Sequence, residues 1–447
     1  MRMTGNARNN KELVALGCLL EFGLVILLAA TGVDRGSYLL EILFWLPFLI
    51  YLLTIWRIGR TDGAATPGQT GAVILVFALL FHATLLFSSS PLSNDIYRYY
   101  WDGKVLAHGL NPYAYSPDAD VLSPLRDSNW EGVMNKDVHT MYPPLSEVVF
   151  AAAYSVSPST LPLRLFSISF NLLAIGVLIL VLRQLGLDAR YSIVYAWSPL
   201  ATIEFANSGH IDSLAVLLTL LSFFALLRKR RALSAVALAL AVLSKIYPLL
   251  FVALFFPRWG KKGTVVFAAV IAIFYLPFLG AGTNLLQGSS YFVDQGLFNG
   301  SIFPLLLTAM EGILSRPEAL RVAKLLVVLV FICVLAFLSA RLHLQEEDDL
   351  RLWKYSFWLT GAFLLLTPTM HPWYLTWVLP FLCFFRSPGW ILLTGTVILA
   401  RSVYIGFEAT GVWREVEWIR LAEYVPPYLL LLWDPIHRIG KWTRADA

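Results

Sequence analysis

The chain has 447 residues, of which 58% are hydrophobic and only 14% charged, with a mean hydropathy of +0.67 and a formal net charge of +5. A soluble domain carries about a quarter charged residues, and long unbroken apolar runs exclude the alternating pattern of a membrane β-barrel. An all-α, polytopic membrane protein remains.

The basic surplus does not point to nucleic acid. It gathers in short connections at Arg57 and Arg60, Arg228-Lys229-Arg230-Arg231, Arg258 with Lys261-Lys262, and Arg438 with Lys441. That is the distribution that orients a membrane protein. Apolar runs near the roughly 20 residues that cross a bilayer recur at 13–31, 38–56, 71–88, 162–182, 190–206, 211–228, 232–257, 263–281, 319–341, 352–368, 372–386, 389–407 and 424–436. They predict about 12–14 spans in a single membrane domain over 1–447. The basic start (Arg2, Arg8, Lys11) reads as the flank of a retained first span rather than a cleaved signal. Cys18, Cys333 and Cys383 lie in apolar runs without ligand spacing and read as buried reduced thiols.

After the third run comes a hydrophilic insertion, 88–141, which opens on Ser93-Asn94-Asp95-Ile96-Tyr97-Arg98-Tyr99-Tyr100-Trp101-Asp102-Gly103-Lys104. Ile96, Tyr99/Tyr100, Gly103, Leu106/Ala107 and Leu110 recur at helical spacing. The pattern predicts an amphipathic helix along the membrane plane, with Asp95 in its first turn at the mouth of a span. There the positive end of the helix dipole favours the ionised carboxylate. Asp118 and Asp120 read as solvated loop acids, and Glu131, Asp137 and His139 lack metal-ligand spacing, so no metal site is expected. A second external insertion covers 282–300.

With the N-terminus in the cytoplasm, the basic connections share one side only if 232–257 breaks near Ser244-Lys245-Ile246-Tyr247-Pro248. Pro248 in mid-run, just after Lys245, supports that break. The polar residues then fall at the external ends of their spans: Asp95; Glu204, Asn207, His210 and Asp212; Lys245 and Tyr247; His371, Trp373 and Tyr374; and Arg401 and Glu408. Ionisable groups at such depth are costly and are functional candidates by default. Simpler readings stand beside these: Asn207 and Asp212 as helix caps around Gly209, His371 as a hydrogen-bonded loop residue before Pro372, and Lys245 as a snorkelling side chain.

The Asn94–Lys104 stretch, followed by His108-Gly109-Leu110-Asn111-Pro112-Tyr113 and Met141-Tyr142-Pro143-Pro144-Leu145, resembles glycosyltransferase family 87, as do Asn207-Ser208-Gly209-His210-Ile211-Asp212, Ser244-Lys245-Ile246-Tyr247-Pro248 and His371-Pro372-Trp373-Tyr374. These are C-type, multi-span enzymes that use polyprenyl-phosphate sugars. The nearest kin group is the bacterial polyprenyl-phosphomannose-dependent α-mannosyltransferases. The resemblance implies an inverting hexosyltransferase, with mannose as the first choice of sugar. It would act on a glycolipid or glycan at the external face of a bacterial cytoplasmic membrane, with Asp95 as catalytic base. The donor-side candidates are Lys245, His371, His210 and Arg401, with Asn207, Asp212, Tyr247, Arg98 and Tyr142 around them. A glucose or pentose donor, or a lipid-linked-sugar transporter, remains the alternative. No cofactor or metal is expected. The expected partners are the lipid-linked donor, the acceptor and membrane lipids, and the absence of a Gly-rich phosphate loop argues against a nucleotide sugar.

Overall fold

The computed structural model describes residues 2–30, 38–60, 67–88, 91–344 and 348–433; Arg438 and Lys441 lie outside them. The described chain is helical, with no strands and only isolated bridges that join Phe298 and Asn299 to Thr369. Seven described helices are long and apolar enough to cross a membrane, or eight if a bent pair counts as one span. The protein is an integral membrane protein. The difference from about 12–14 runs has a local cause. Several runs fold as shorter or interrupted helices: Ile193–Ala196, Arg231–Ser244 and Leu379–Leu382. Asp349–Leu366 is long enough but carries Asp349, Arg351 and Lys354.

Two compact units interleave in sequence, one formed by Met1–Phe81, Ile179–Ala201 and Leu297–Ala447, the other by His82–Leu178 and Thr202–Gly296. In the first, Arg2–Ala30 packs on Leu39–Arg60, Arg316–His343 on Asp349–Leu366, and Pro388–Thr396 on Glu417–Trp433. Arg316–His343 buries few of its side chains and exposes Leu325, Val328, Ile332 and Phe337. Such a face suits a hydrocarbon solvent rather than water. Cys18 and Cys333 are likewise exposed, and only Cys383 is buried as expected.

The second unit is built around the helix Asp95–Ala107. Its Ile96–Tyr99–Tyr100 face packs with Phe150, Ala153 and Leu214. On the opposite side, Trp101 and Val105 pack with Leu122 and Val133 of the polar insertion. The helix is therefore enclosed by its own loop instead of lying half exposed, because both sides of it carry large apolar rings. Gly103 makes this possible. A Cβ there would collide with the backbone carbonyl of Phe150 on the crossing helix Pro144–Val156. Behind it, Arg98 Nε bonds both oxygens of Asp102, at 3.0 and 2.9 Å, and Arg98 Nη2 donates to the Val138 carbonyl at 2.9 Å.

Asp212–Leu227 and Arg231–Ser244 form a helical hairpin through the exposed turn Arg228–Arg230. At Lys245 the backbone becomes extended (φ −155°, ψ 144°) before the 3-10 turn Tyr247–Phe251. The chain then doubles back, and Trp259 Nε1 donates to Ser234 Oγ at 3.0 Å. Exposed Lys261 and Lys262 thus return toward the end of the hairpin where Arg228–Arg231 lie, while Lys245 stands at the opposite end. The 14-residue helix Arg231–Ser244 separates them by about 21 Å at 1.5 Å per residue. The expected break in 232–257 is present.

Gly103→Ala should lower thermal stability in detergent by about 1–3 kcal/mol, the usual cost of overpacking, because the neighbour it meets is backbone and cannot rotate away. An unchanged melting temperature would show that the two helices separate without cost.

Candidate functional site

A short stretch of unusual helix organises the polar groups of the second unit. Ile203–Asn207 is π-helical, and the chain then bends by 120° into Asp212–Leu227. Wide turns of this kind recur at functional sites. Gly209 makes the bend in a left-handed conformation, with φ +68°. Asn207 fastens the turn to the segment before Asp95: its Oδ1 accepts from the Leu92 N–H at 2.7 Å and its Nδ2 donates to Ser88 Oγ at 2.6 Å. Asn207 is thus a brace between two segments.

His210 is fully buried. Its Nδ1 lies 3.1 Å from the Tyr99 hydroxyl and its Nε2 lies 3.2 Å from Glu204 Oε2. Its backbone is held by Ser167 Oγ, which donates to the His210 carbonyl at 2.8 Å. Asp212 begins its helix without capping it. Instead its carboxylate faces Lys245 Nζ at 3.3 Å. A buried carboxylate beside a half-buried ammonium offsets much of the cost each has alone. Lys245 Nζ also lies 5.3 Å from the centre of the Tyr142 ring. That ring meets Tyr99 edge-on at 5.0 Å, and Tyr99 stacks on Phe150 at 4.6 Å. The Tyr113 hydroxyl fixes the Tyr142 carbonyl.

Asp95 sits beside this group, half-buried, with its N–H donating to Ser93 Oγ at 3.2 Å. Burial pushes its carboxyl above the ordinary 3.8; His210 and Lys245 pull it back, while Asp212 and Glu204 push it up. Burial thus outweighs the helix dipole that the sequence suggested. The result is a stronger proton acceptor than a surface aspartate. On the crossing helix Pro144–Val156, Glu147 accepts from Thr140 Oγ1 at 2.7 Å. Its carboxyl is driven well up, first by burial and then by the Asp102 charge. Arg98 therefore serves this inner network by holding Asp102.

Tyr247 is buried in the 3-10 turn after Lys245 and meets Phe251 edge-on. His371 and Arg401 belong to the other unit. His371 stacks on Trp373 at 4.3 Å and on Phe298 at 4.9 Å. Arg401 Nε donates to Glu41 Oε1 at 3.1 Å, which commits its charge to a neighbour in that unit. Asp95, His210, Asp212, Lys245 and Tyr142 are thus brought together in one unit. Glu204, one of the polar residues flagged at the external end of its span, joins the cluster, and Tyr99 completes it without having been singled out. The spacing of Asp95 and Tyr99 by one helical turn was the available signal for Tyr99.

A family model described as alpha-(1->6)-mannopyranosyltransferase, N-terminal domain, matches residues 18–261, more than half of the chain. The chain belongs to this family. The resemblance to glycosyltransferase family 87 therefore holds, and the protein is a mannosyltransferase-family membrane protein. The matched region contains Asp95, His210, Asp212 and Lys245, whereas His371 and Arg401 lie beyond it. Comparison with curated proteins gives no match.

Gly209→Ala should cost about 1–2 kcal/mol through the left-handed backbone, and its Cβ would press on Ile96 Cδ1 at 3.0 Å. The variant should melt earlier and lose activity together, since Gly209 sits next to His210. Activity preserved in full would mean that the bend does not position the cluster.

Proposed function

We propose that the protein transfers mannose from a polyprenyl-phosphate carrier to a hydroxyl of a glycolipid or glycan acceptor, with inversion, at the external face of the membrane. The observation that carries this reading is the meeting of Asp95, whose carboxyl burial raises above its ordinary value, with a paired ammonium, Lys245, at the end of the helical hairpin away from its basic turn. Basic turns face the cytoplasm as a rule, which supports an external site.

In the proposed reaction Asp95 takes the proton of the acceptor hydroxyl as its oxygen attacks the anomeric carbon. The bond from that carbon to the phosphate oxygen breaks, and polyprenyl phosphate leaves with the electron pair. A single displacement of this kind inverts the anomeric centre, as in glycosidases that lack a carboxylate nucleophile. Lys245 meets the leaving phosphate. Asp212 holds the ammonium in place beforehand and limits the cost of its burial. His210, set between the Tyr99 hydroxyl and Glu204, tunes Asp95 through its charge and orientation rather than contacting the phosphate. His371 and Arg401 rank behind Lys245, the former stacked between rings and the latter engaged by Glu41. No metal takes part in this scheme, so a chelator should leave turnover unchanged.

Asp95→Asn should reduce mannose transfer by about 10²–10⁴-fold while donor binding persists, read as release of polyprenyl phosphate from polyprenyl-phosphomannose. For the parent enzyme, activity needs the ionised base and should fall as the pH drops through the raised Asp95 pKa, at a pH above 3.8. An acid limb that survives unchanged in Asp95→Asn, or near-normal turnover by that variant, removes Asp95 from the role.

Lys245→Ala should raise the donor concentration needed for half-saturation much more than that for the acceptor. Arg at 245 should restore it only in part, since a planar fork does not fit a place shaped for an ammonium. Equal shifts for both substrates would make Lys245 a structural counter-charge for Asp212.

A further inference from the structure

The chain enters the Asp95 helix from the end of the helix Pro67–Leu86, and the described residues between them, Ser88 and 91–94, form no helix. A carboxylate in a first turn is only as well placed as the chain that leads into it. Two side chains from elsewhere in the second unit hold that chain. Asn207 is one, bonded at Ser88 Oγ and at the Leu92 N–H. Arg164 is the other: its Nη1 donates to the Ser88 carbonyl at 3.3 Å.

Arg164 lies in the first turn of the helix Leu161–Gln184 and is only 7% exposed. Among the described residues no carboxylate pairs with it, and its Nε is sealed from solvent without a hydrogen-bond partner. A buried guanidinium held by one carbonyl is costly, and an apolar side chain would fill the same space more cheaply. Its surroundings show what the charge does there. The stem crosses the bend at Gly209, where a Cβ would lie 3.4 Å from Arg164 Cγ and 3.0 Å from Ile96 Cδ1. The head then arrives just past the carbonyl end of Pro67–Leu86, the negative end of that helix's dipole. A cation is favoured at such an end, and a neutral side chain is not. One turn along from Arg164, Ser167 Oγ donates to the His210 carbonyl at 2.8 Å and lies 3.0 Å from Ser213 Oγ. One face of Leu161–Gln184 therefore grips both the bend beside His210 and the chain before Asp95.

We infer that Arg164 is a positioning residue for sugar transfer. It clamps the chain that enters the Asp95 helix, so that the carboxylate meets the acceptor hydroxyl at a fixed place. The inference rests on the proposed role of Asp95 as base. Arg164 touches neither donor nor acceptor in this scheme: Lys245 meets the phosphate, and Arg164 sets the base. A displacement of about 1 Å at a reacting group can cost about 10²-fold in rate.

The test pairs amide hydrogen exchange with steady-state kinetics on the purified full-length protein in detergent. Arg164→Gln keeps a hydrogen-bonding side chain without the charge or the reach. It should speed exchange over Leu92–Asp95 by about tenfold, the share of one hydrogen bond to a charged group. It should also lower kcat by about 10–100-fold and leave the donor concentration for half-saturation unchanged. A merely structural role would lower the melting temperature while kcat per folded molecule stayed at the parent value. Arg164→Lys keeps the charge at the helix end but not the planar fork. Its exchange and kcat should fall between those of the parent and Arg164→Gln, and it carries the test if Arg164→Gln does not fold. Parent-like exchange over Leu92–Asp95 in a folded variant overturns the proposal. Faster exchange with full turnover overturns it as well, provided Asp95→Asn is inactive. Full turnover in Arg164→Gln and Asp95→Asn alike overturns instead the role given to Asp95, and leaves the clamp that exchange reads.

Discussion

Charge removed from water must be paired where it lies, and the second unit is arranged around that requirement. Lys245 and Asp212 face each other at 3.3 Å, and His210 lies between Tyr99 and Glu204. None of these groups could remain ionised in an apolar surround alone. Each pair joins distant parts of the chain or a turn to its neighbour, so the pairs also fix the backbone. The extended residue at 245 and the left-handed glycine at 209 are the two places where helices stop. They stop so that these side chains can meet.

The same requirement separates residues that react from residues that hold. Asp95 and Lys245 keep partial access to solvent while His210, Asp212 and Glu204 are buried. A group that must exchange a proton with a substrate needs that opening, whereas Arg98, Asp102 and Glu147 lie behind it with no such need. Two carboxyls beside one guanidinium leave Glu147 driven toward its neutral form. The inner network then adds no net negative charge to the wall behind Asp95.

Much of this was legible in the sequence because it rests on composition and on breakers. Hydropathy alone gives a helical membrane protein, and Pro248 after Lys245 marks the interruption that the structure shows at residue 245. Motif order gave the family. What stayed hidden depends on which way side chains turn. The helix Asp95–Ala107 reads as amphipathic, yet Trp101 and Val105 reach Leu122 and Val133, residues far along the insertion, and bury its second face. The division into two units left no linker to find, because the chain passes between them repeatedly. Short interrupted helices look like spans when only hydropathy is read.

The enclosure of the insertion also bears on how this protein can be divided. The family match ends at residue 261, within the helix Val252–Tyr275. Downstream of that point, Phe278 packs on Tyr113 and accepts from Asn111 Nδ2 at 3.1 Å, and Asn284 reaches the Ala114 carbonyl. Gly288 lies against the backbone of His139 and Thr140, where no side chain fits. A fragment cut at 261 would strip the cover from the loop that encloses the Asp95 helix and bare the carbonyls of Ala114, His139 and Thr140. The matched segment is a unit of inheritance, and the piece that can fold runs at least to residue 288.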